Sequence, residues 1–208
     1  MAERYDAALL DVYGYKEEKC PPTASERPHK RGRLVIAAAR ELYESGQVEH
    51  FVFSGGPALG RSEPISTLAA EDLIRKSHID PENVTTNPSA DVTTSNELKT
   101  LKNELSDNRW VNSVSIGWEL HKKAIKNLAK KRLNKNTRHK VLSAEEILAR
   151  YPNERNARRY ARVIDAIHNS ESERRFQEYE NRMHVIMRLP FAVELLDILA
   201  KFYRPKAD

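Results

Sequence analysis

One cysteine, Cys20, stands in 208 residues, so an internal disulfide is excluded and the fold must rest on its core. No run comes near the roughly 18 consecutive apolar residues that a membrane-spanning helix needs. The start, Met-Ala-Glu-Arg-Tyr-Asp, has neither the apolar segment nor the cleavage site of a secretory signal. Charged residues make up 31% of the chain and the mean hydropathy is −0.69. Together these features predict a soluble, cytoplasmic protein with no membrane span. Cys20, beside Pro21 and Pro22, reads as a bystander rather than a nucleophile.

Glycine is scarce and unevenly placed. All seven glycines lie at or before Gly117. Charge divides at the same point. Residues 1–117 carry 14 Lys and Arg against 18 Asp and Glu, whereas residues 118–208 carry 21 against 12. A glycine-free, arginine-rich segment with few turn signals reads as helical. The first part instead alternates short apolar runs with helical periods. The length suits one domain with an appendage. We therefore divide the chain into an α/β domain over 1–142 and a helical extension over 143–208.

Within the body, Asp6–Leu10 is a short apolar strand, and residues 11–29 are a long polar loop. A helix follows over 33–45, with Gly46 just beyond its end. His50–Phe53 is the second strand. Pro64 suits the opening of a helix that runs to about Lys76. Val84–Thr86 is a third strand, and Leu98, Leu101 and Leu105 share one face of a helix over about 92–106. Val111–Ile116, a basic helix over 118–132 and a strand over His139–Leu142 complete the body. Strands separated by helices predict a three-layer Rossmann-like parallel sheet. In the extension, Ser143 and Ser170 each precede a glutamate by three residues, the spacing of a capping box. Tyr160, Ile164 and Ile167 mark one apolar stripe; Phe176, Tyr179, Met183 and Ile186 mark another. A last helix is expected over 191–202, after Pro190.

The most informative stretch is Phe51-Val52-Phe53-Ser54-Gly55-Gly56, a buried strand running straight into paired glycines. In an open α/β sheet, ligands sit outside the carboxyl ends of the strands, where this loop would lie. Backbone N–H groups of Ser54, Gly55 and Gly56 would suit an anionic oxygen there; a plain turn is the other reading. Asp11, at the end of the first strand, faces the same rim, and Lys122 and Lys123 follow the fourth strand. Glu63 is either a base that orients a hydroxyl or a helix-start carboxylate. Thr93 and Asn96 would grip a phosphate, ribose or carboxylate, or would serve only as helix caps.

The order of these motifs resembles the YdcF-like family, whose shared domain has an unsettled function. The residues that carry the resemblance are Arg33…Ala37…Leu42-Tyr43, Val52-Phe53-Ser54-Gly55-Gly56 and Glu63. Thr93-Thr94-Ser95-Asn96, Val114-Ser115 and Trp118-Glu119-Leu120-His121-Lys122-Lys123 follow. They span roughly residues 6–142. The resemblance implies a ligand site built from Asp11, Gly14, Arg33, Ser54, Gly55, Gly56, Thr93, Asn96 and Lys122. It implies chemistry at Glu63, Glu119 and His121, and a domain tied in some members to maintenance of the cell envelope. Three departures stand out. The first loop, Asp11-Val12-Tyr13-Gly14-Tyr15, has one glycine where the family has several. Ser95 replaces a glutamate. An ungapped reading puts Glu119 where the family has histidine and Lys122 where it has arginine, with His121 two positions further on.

These readings converge on a small anionic or nucleotide-like ligand at the carboxyl edge of the sheet. S-adenosylmethionine is one candidate among ligands of that type. An enzyme is favoured over a non-catalytic binding protein, but no nucleophile–base–orienter set or metal spacing is legible. A function of another class is nucleic-acid binding through residues 122–140, which carry nine Lys and Arg and no acid. That run lacks interleaved aromatics, which disfavours nucleic acid and leaves a solvated basic helix as the simpler reading. The C-terminal helices offer a surface for a homodimer.

Overall fold

The computed structural model describes residues 3–12, 30–57, 63–90, 93–150, 154–171, 173–175, 177, 178 and 181. Five strands and six α-helices alternate along the described residues: β1 (Tyr5–Leu10), α1 (Lys30–Glu44), β2 (Val48–Ser54), α2 (Ile65–Ser77), β3 (Val84–Asn87), α3 (Thr94–Asp107), β4 (Asn112–Gly117), α4 (Glu119–Arg132), β5 (Arg138–Ser143), α5 (Ala144–Ala149) and α6 (Glu154–His168). The strands form one parallel sheet in the order β3-β2-β1-β4-β5. This is the three-layer Rossmann-like architecture.

Side chains alternate across the sheet, and the alternation divides the core. Ala8, Leu10, Phe51, Phe53, Val114 and Ile116 face α1 and α2. Ala7, Leu9 and Val52 face the other way, onto Leu98, Leu101 and Leu105 of α3 and Leu128 and Ala129 of α4. Strands buried on both faces are apolar at successive positions, which is why β1 and β2 read as continuous apolar runs. Helix α1 begins at Lys30, three residues earlier than its period alone suggests. Its inner stripe continues backwards from Val35 and Leu34 to Arg31, which is buried with them.

The extension enters the same core. Ala144 and Leu148 of α5 and Ile167 of α6 are buried in the cluster that covers α1, with Tyr160, Val163 and Ile164 packed against it. Ser143 forms the expected capping box, accepting from the Glu146 N–H while Glu146 accepts from its own. The second box is only half made: the Glu173 N–H donates to Ser170 Oγ, but the Ser170 N–H donates to the Ile167 carbonyl. The Phe176–Ile186 stripe, the helix over 191–202 and any dimer contact through it lie outside the described residues, as do Gly14 and Cys20. Among the described residues, no helix is long and apolar enough to cross a membrane.

Candidate functional site

The strand order places a switch point between β1 and β4. The chain leaves β1 through α1 towards β2 on one side, and returns through α3 to β4 on the other. Connections that diverge from neighbouring strands leave a crevice at their carboxyl ends, the usual ligand position in open α/β sheets. Asp11 follows β1 directly into this crevice, and its N–H donates to the Ile116 carbonyl of β4 at 2.9 Å. Gly117 closes β4 beside it. A Cβ at Gly117 would stand 2.6 Å from Ile125 Cδ1 and 3.6 Å from Asp11 Cβ, so its absence lets α4 settle against the strand end.

Four buried polar side chains converge at this point. His121, in the first turn of α4, brings Nε2 to 2.9 Å from Thr94 Oγ1 and 3.2 Å from Asp11 Oδ2. The Asp11 contact is at ion-pair distance, and neither Asp11 carboxylate oxygen has a hydrogen-bond partner among the described residues. Glu97, one turn into α3, completes the group. It is 3% exposed and Asp11 is 2% exposed. Glu97 Oε2 also has no hydrogen-bond partner among the described residues. Burial, and then the neighbouring Asp11 charge, push the Glu97 carboxyl well above the usual range, with His121 pulling the other way.

The residues expected from the sequence fall into separate places. Asp11 and His121 are brought together. Glu119 is not: its side chain is 49% exposed, and it points to Lys122 while its N–H donates to the Glu145 carboxylate. The residue facing the crevice is therefore His121, since two helical positions differ by roughly 200° in direction. Lys122 pairs with Glu146 at 2.6 Å and with Glu119 at 3.7 Å, on the α5 side of α4. Arg33 lies on the exposed side of α1, and the buried arginine of that turn is Arg31. Thr93 caps α3 through the Asn96 N–H, and the Asn96 side chain accepts from Lys99. Glu63 is exposed in the turn before α2.

The Ser54-Gly55-Gly56 loop departs most from its expected role as an anion cradle. The Gly55 N–H donates to the Asn87 carbonyl and the Gly56 N–H to the Ala90 carbonyl, at 3.1 and 2.7 Å. Their own carbonyls accept from the Ser66 and Ile65 N–H groups. Ser54 Oγ pairs with Thr100 Oγ1 at 2.9 Å. The four backbone groups of the two glycines are thus consumed in joining β2 to the β3–α3 loop and to the start of α2. Gly56 is required by close approach, because a Cβ there would lie 3.0 Å from the Pro88 carbonyl oxygen and 3.2 Å from that of Ala90. Gly55 holds φ at 138°, a region that L side chains avoid.

Sequence reasoning missed Thr94, Glu97 and Arg31. A signal for each was present. Thr94 and Glu97 extend the stripe of Leu98, Leu101 and Leu105 back through the first turn of α3, so they lie on its buried face. An ionisable residue on an apolar stripe must be paired or functional, because burying it otherwise costs too much.

A groove of about 470 Å³ lined by Arg109, Trp110, Asn134 and Lys135, among others, lies at the opposite, amino edge of the sheet, away from this cluster. Among the described residues, no group of three or more His, Cys, Asp or Glu side chains is arranged to hold a metal ion. Comparisons with protein-family models, with curated proteins and with solved structures each found no match for this chain.

Proposed function

We propose that this is a YdcF-like protein that binds a small nucleotide-like ligand at the β1–β4 switch point and acts on it by acid–base chemistry. The observation that carries this reading is the convergence of Asp11, Glu97, Thr94 and His121 at the carboxyl ends of the central strands. Buried carboxylate oxygens without partners among the described residues are suited to donors from a ligand, such as ribose hydroxyls or an amine. His121 is the group placed to take up a proton, with Thr94 and Asp11 fixing its ring. Glu97, kept protonated by burial and by Asp11, is the group placed to give one. The lone Cys20 fits a cytoplasmic protein.

The test is a thermal-shift screen of nucleotides, sugar phosphates and S-adenosylmethionine on the full chain, followed by calorimetry with the best ligand. Asp11→Asn and His121→Ala should each weaken binding at least tenfold while circular dichroism shows an intact fold. Unchanged affinity in both variants would remove the switch point as the site.

A further inference from the structure

Glu173, in the helical stretch that follows α6, reaches a carboxylate into the crevice side of the α/β body. Arg31 grips it with Nε at 2.9 Å and Nη2 at 2.6 Å, both on Oε2. The Trp118 indole N–H donates to the other oxygen, Oε1, at 2.6 Å. The Arg31 and Glu173 side chains are 3% and 6% exposed. The two donors come from the elements that flank the switch point: Arg31 opens α1, after β1, and Trp118 stands between Gly117 of β4 and the first residue of α4. Trp118 also accepts the His121 N–H on its carbonyl, so the indole and the acid–base cluster share one turn. A guanidinium, an indole N–H and the positive end of a helix form a receptor for an oxyanion. Glu173 fills it.

We propose that Arg31 and Trp118 form an oxyanion subsite beside the acid–base cluster, that it takes a phosphate or carboxylate group of a small ligand, and that Glu173 is its internal occupant. The proposal rests on the ligand-binding reading of the switch point. It assigns the anionic part of the ligand to donors other than the Ser54–Gly56 loop, whose glycine N–H groups are already used. Three further features tie the extension to the same turn. His168 stacks edge-on against Trp118 with ring centroids 5.5 Å apart, its Nε2 lies 3.6 Å from Glu145 Oε1, and Glu145 in turn accepts the Glu119 N–H. A ligand oxyanion that displaces Glu173 therefore loosens the extension where it meets α4. A tethered carboxylate competes at high effective concentration, so the parent chain binds free anions weakly.

The experiment uses the full chain, with inorganic phosphate and acetate as separate probes in calorimetry. Glu173→Gln keeps the size of the side chain and removes its charge. It should tighten binding of at least one probe tenfold or more, the factor expected if the tie is closed more than nine-tenths of the time. The probe that responds identifies the ligand group as phosphate-like or carboxylate-like. Arg31→Gln added to Glu173→Gln should abolish the gain, and Asp11→Asn added instead should leave it intact. The latter arm separates this subsite from the acid–base cluster, whose failure would appear only in the nucleotide screen. In the parent, saturating probe should speed amide exchange in peptides covering residues 154–175. A folded Glu173→Gln protein that binds both probes no better than the parent would overturn the proposal. So would a gain that survives loss of Arg31. Should Glu173→Gln not fold, unchanged exchange in the parent at saturating probe would overturn it as well.

Discussion

His121 Nε2 stands 3.2 Å from Asp11 Oδ2, which ties the first turn of α4 to the end of β1 across the switch point of the sheet. The pair sits beside a third ionisable group, Glu97, whose carboxyl burial and then the Asp11 charge raise and the His121 charge lowers. Asp11→Asn preserves the shape of the side chain and removes one of the two causes that raise Glu97. The Glu97 carboxyl should then titrate at lower pH than in the parent, yet stay above the usual carboxylate range, because burial is the larger cause. Carboxyl-carbon NMR across a pH series reads this directly. A Glu97 midpoint that does not move would show that the two carboxyl groups are not coupled.

Glu145 makes stability depend on pH in a known direction. Burial raises its carboxyl from 4.5 to about 7, against the backbone N–H groups that it accepts. Between those values the folded chain holds a proton that the unfolded chain has released, so stability falls as pH rises through this window and levels off above it. Glu145→Gln should remove that slope. Its stability relative to the parent should be higher at pH 8 than at pH 4 by at most roughly 3 kcal/mol. His139, whose ring burial lowers to about 4, contributes an opposite slope below 6.5, but it is common to both proteins and cancels in the difference. Denaturant melts at the two pH values decide the matter, and an equal difference at both would contradict a raised Glu145.

Gly56→Ala tests whether the Gly-Gly loop is a joint. The added Cβ meets two backbone carbonyl oxygens at 3.0 and 3.2 Å, so the β3–α3 loop must shift. A loss of about 1–3 kcal/mol in unfolding free energy is expected, the usual range for overpacking. Affinity of the folded fraction for the screened ligand should be unchanged. A variant of parental stability with impaired binding would restore the loop to the ligand site.

Leu148 of α5 is 1% exposed and packs in the cluster that covers α1. Leu148→Ala should cost about 2–5 kcal/mol, as for a fully buried leucine. Truncation after Ser143 should lower the melting temperature further, because Ala144 and Ile167 leave the same core. A truncated chain that melts with the parent would make the extension an independent tail.

The order of elements was legible because it depends on local signals. Apolar runs of strand length, helical periods and the switch from glycine-bearing to glycine-free sequence place all five strands to within two residues. Asp11 was legible as a candidate because a carboxylate that ends an apolar strand has few bland uses. Glu119 and Lys122 lie away from Asp11, on the α5 side of α4, because an ungapped motif counts positions, whereas a helix presents directions. Arg33 was favoured over Arg31 for the same reason. For Ser54-Gly55-Gly56 the sequence left an anion cradle and a plain turn both open, and its glycine N–H groups could be assigned to a ligand only while their partners, the Asn87 and Ala90 carbonyls, were unknown.

The amino-acid sequence by itself determined an alternating parallel α/β body, and it suggested the carboxyl edge as the place to look for a site and a helical extension with apolar stripes. Those follow from residue periodicity and turn chemistry, which act over a few residues. Only the tertiary structure decided that His121 rather than Glu119 meets Asp11, that Thr94 and Glu97 join them, and that Glu173 reaches Arg31 across 142 residues of chain. The reason is physical. The direction of a side chain at a helix start is set by how the whole helix is rotated against the sheet, and that rotation is fixed by packing contacts distant in sequence.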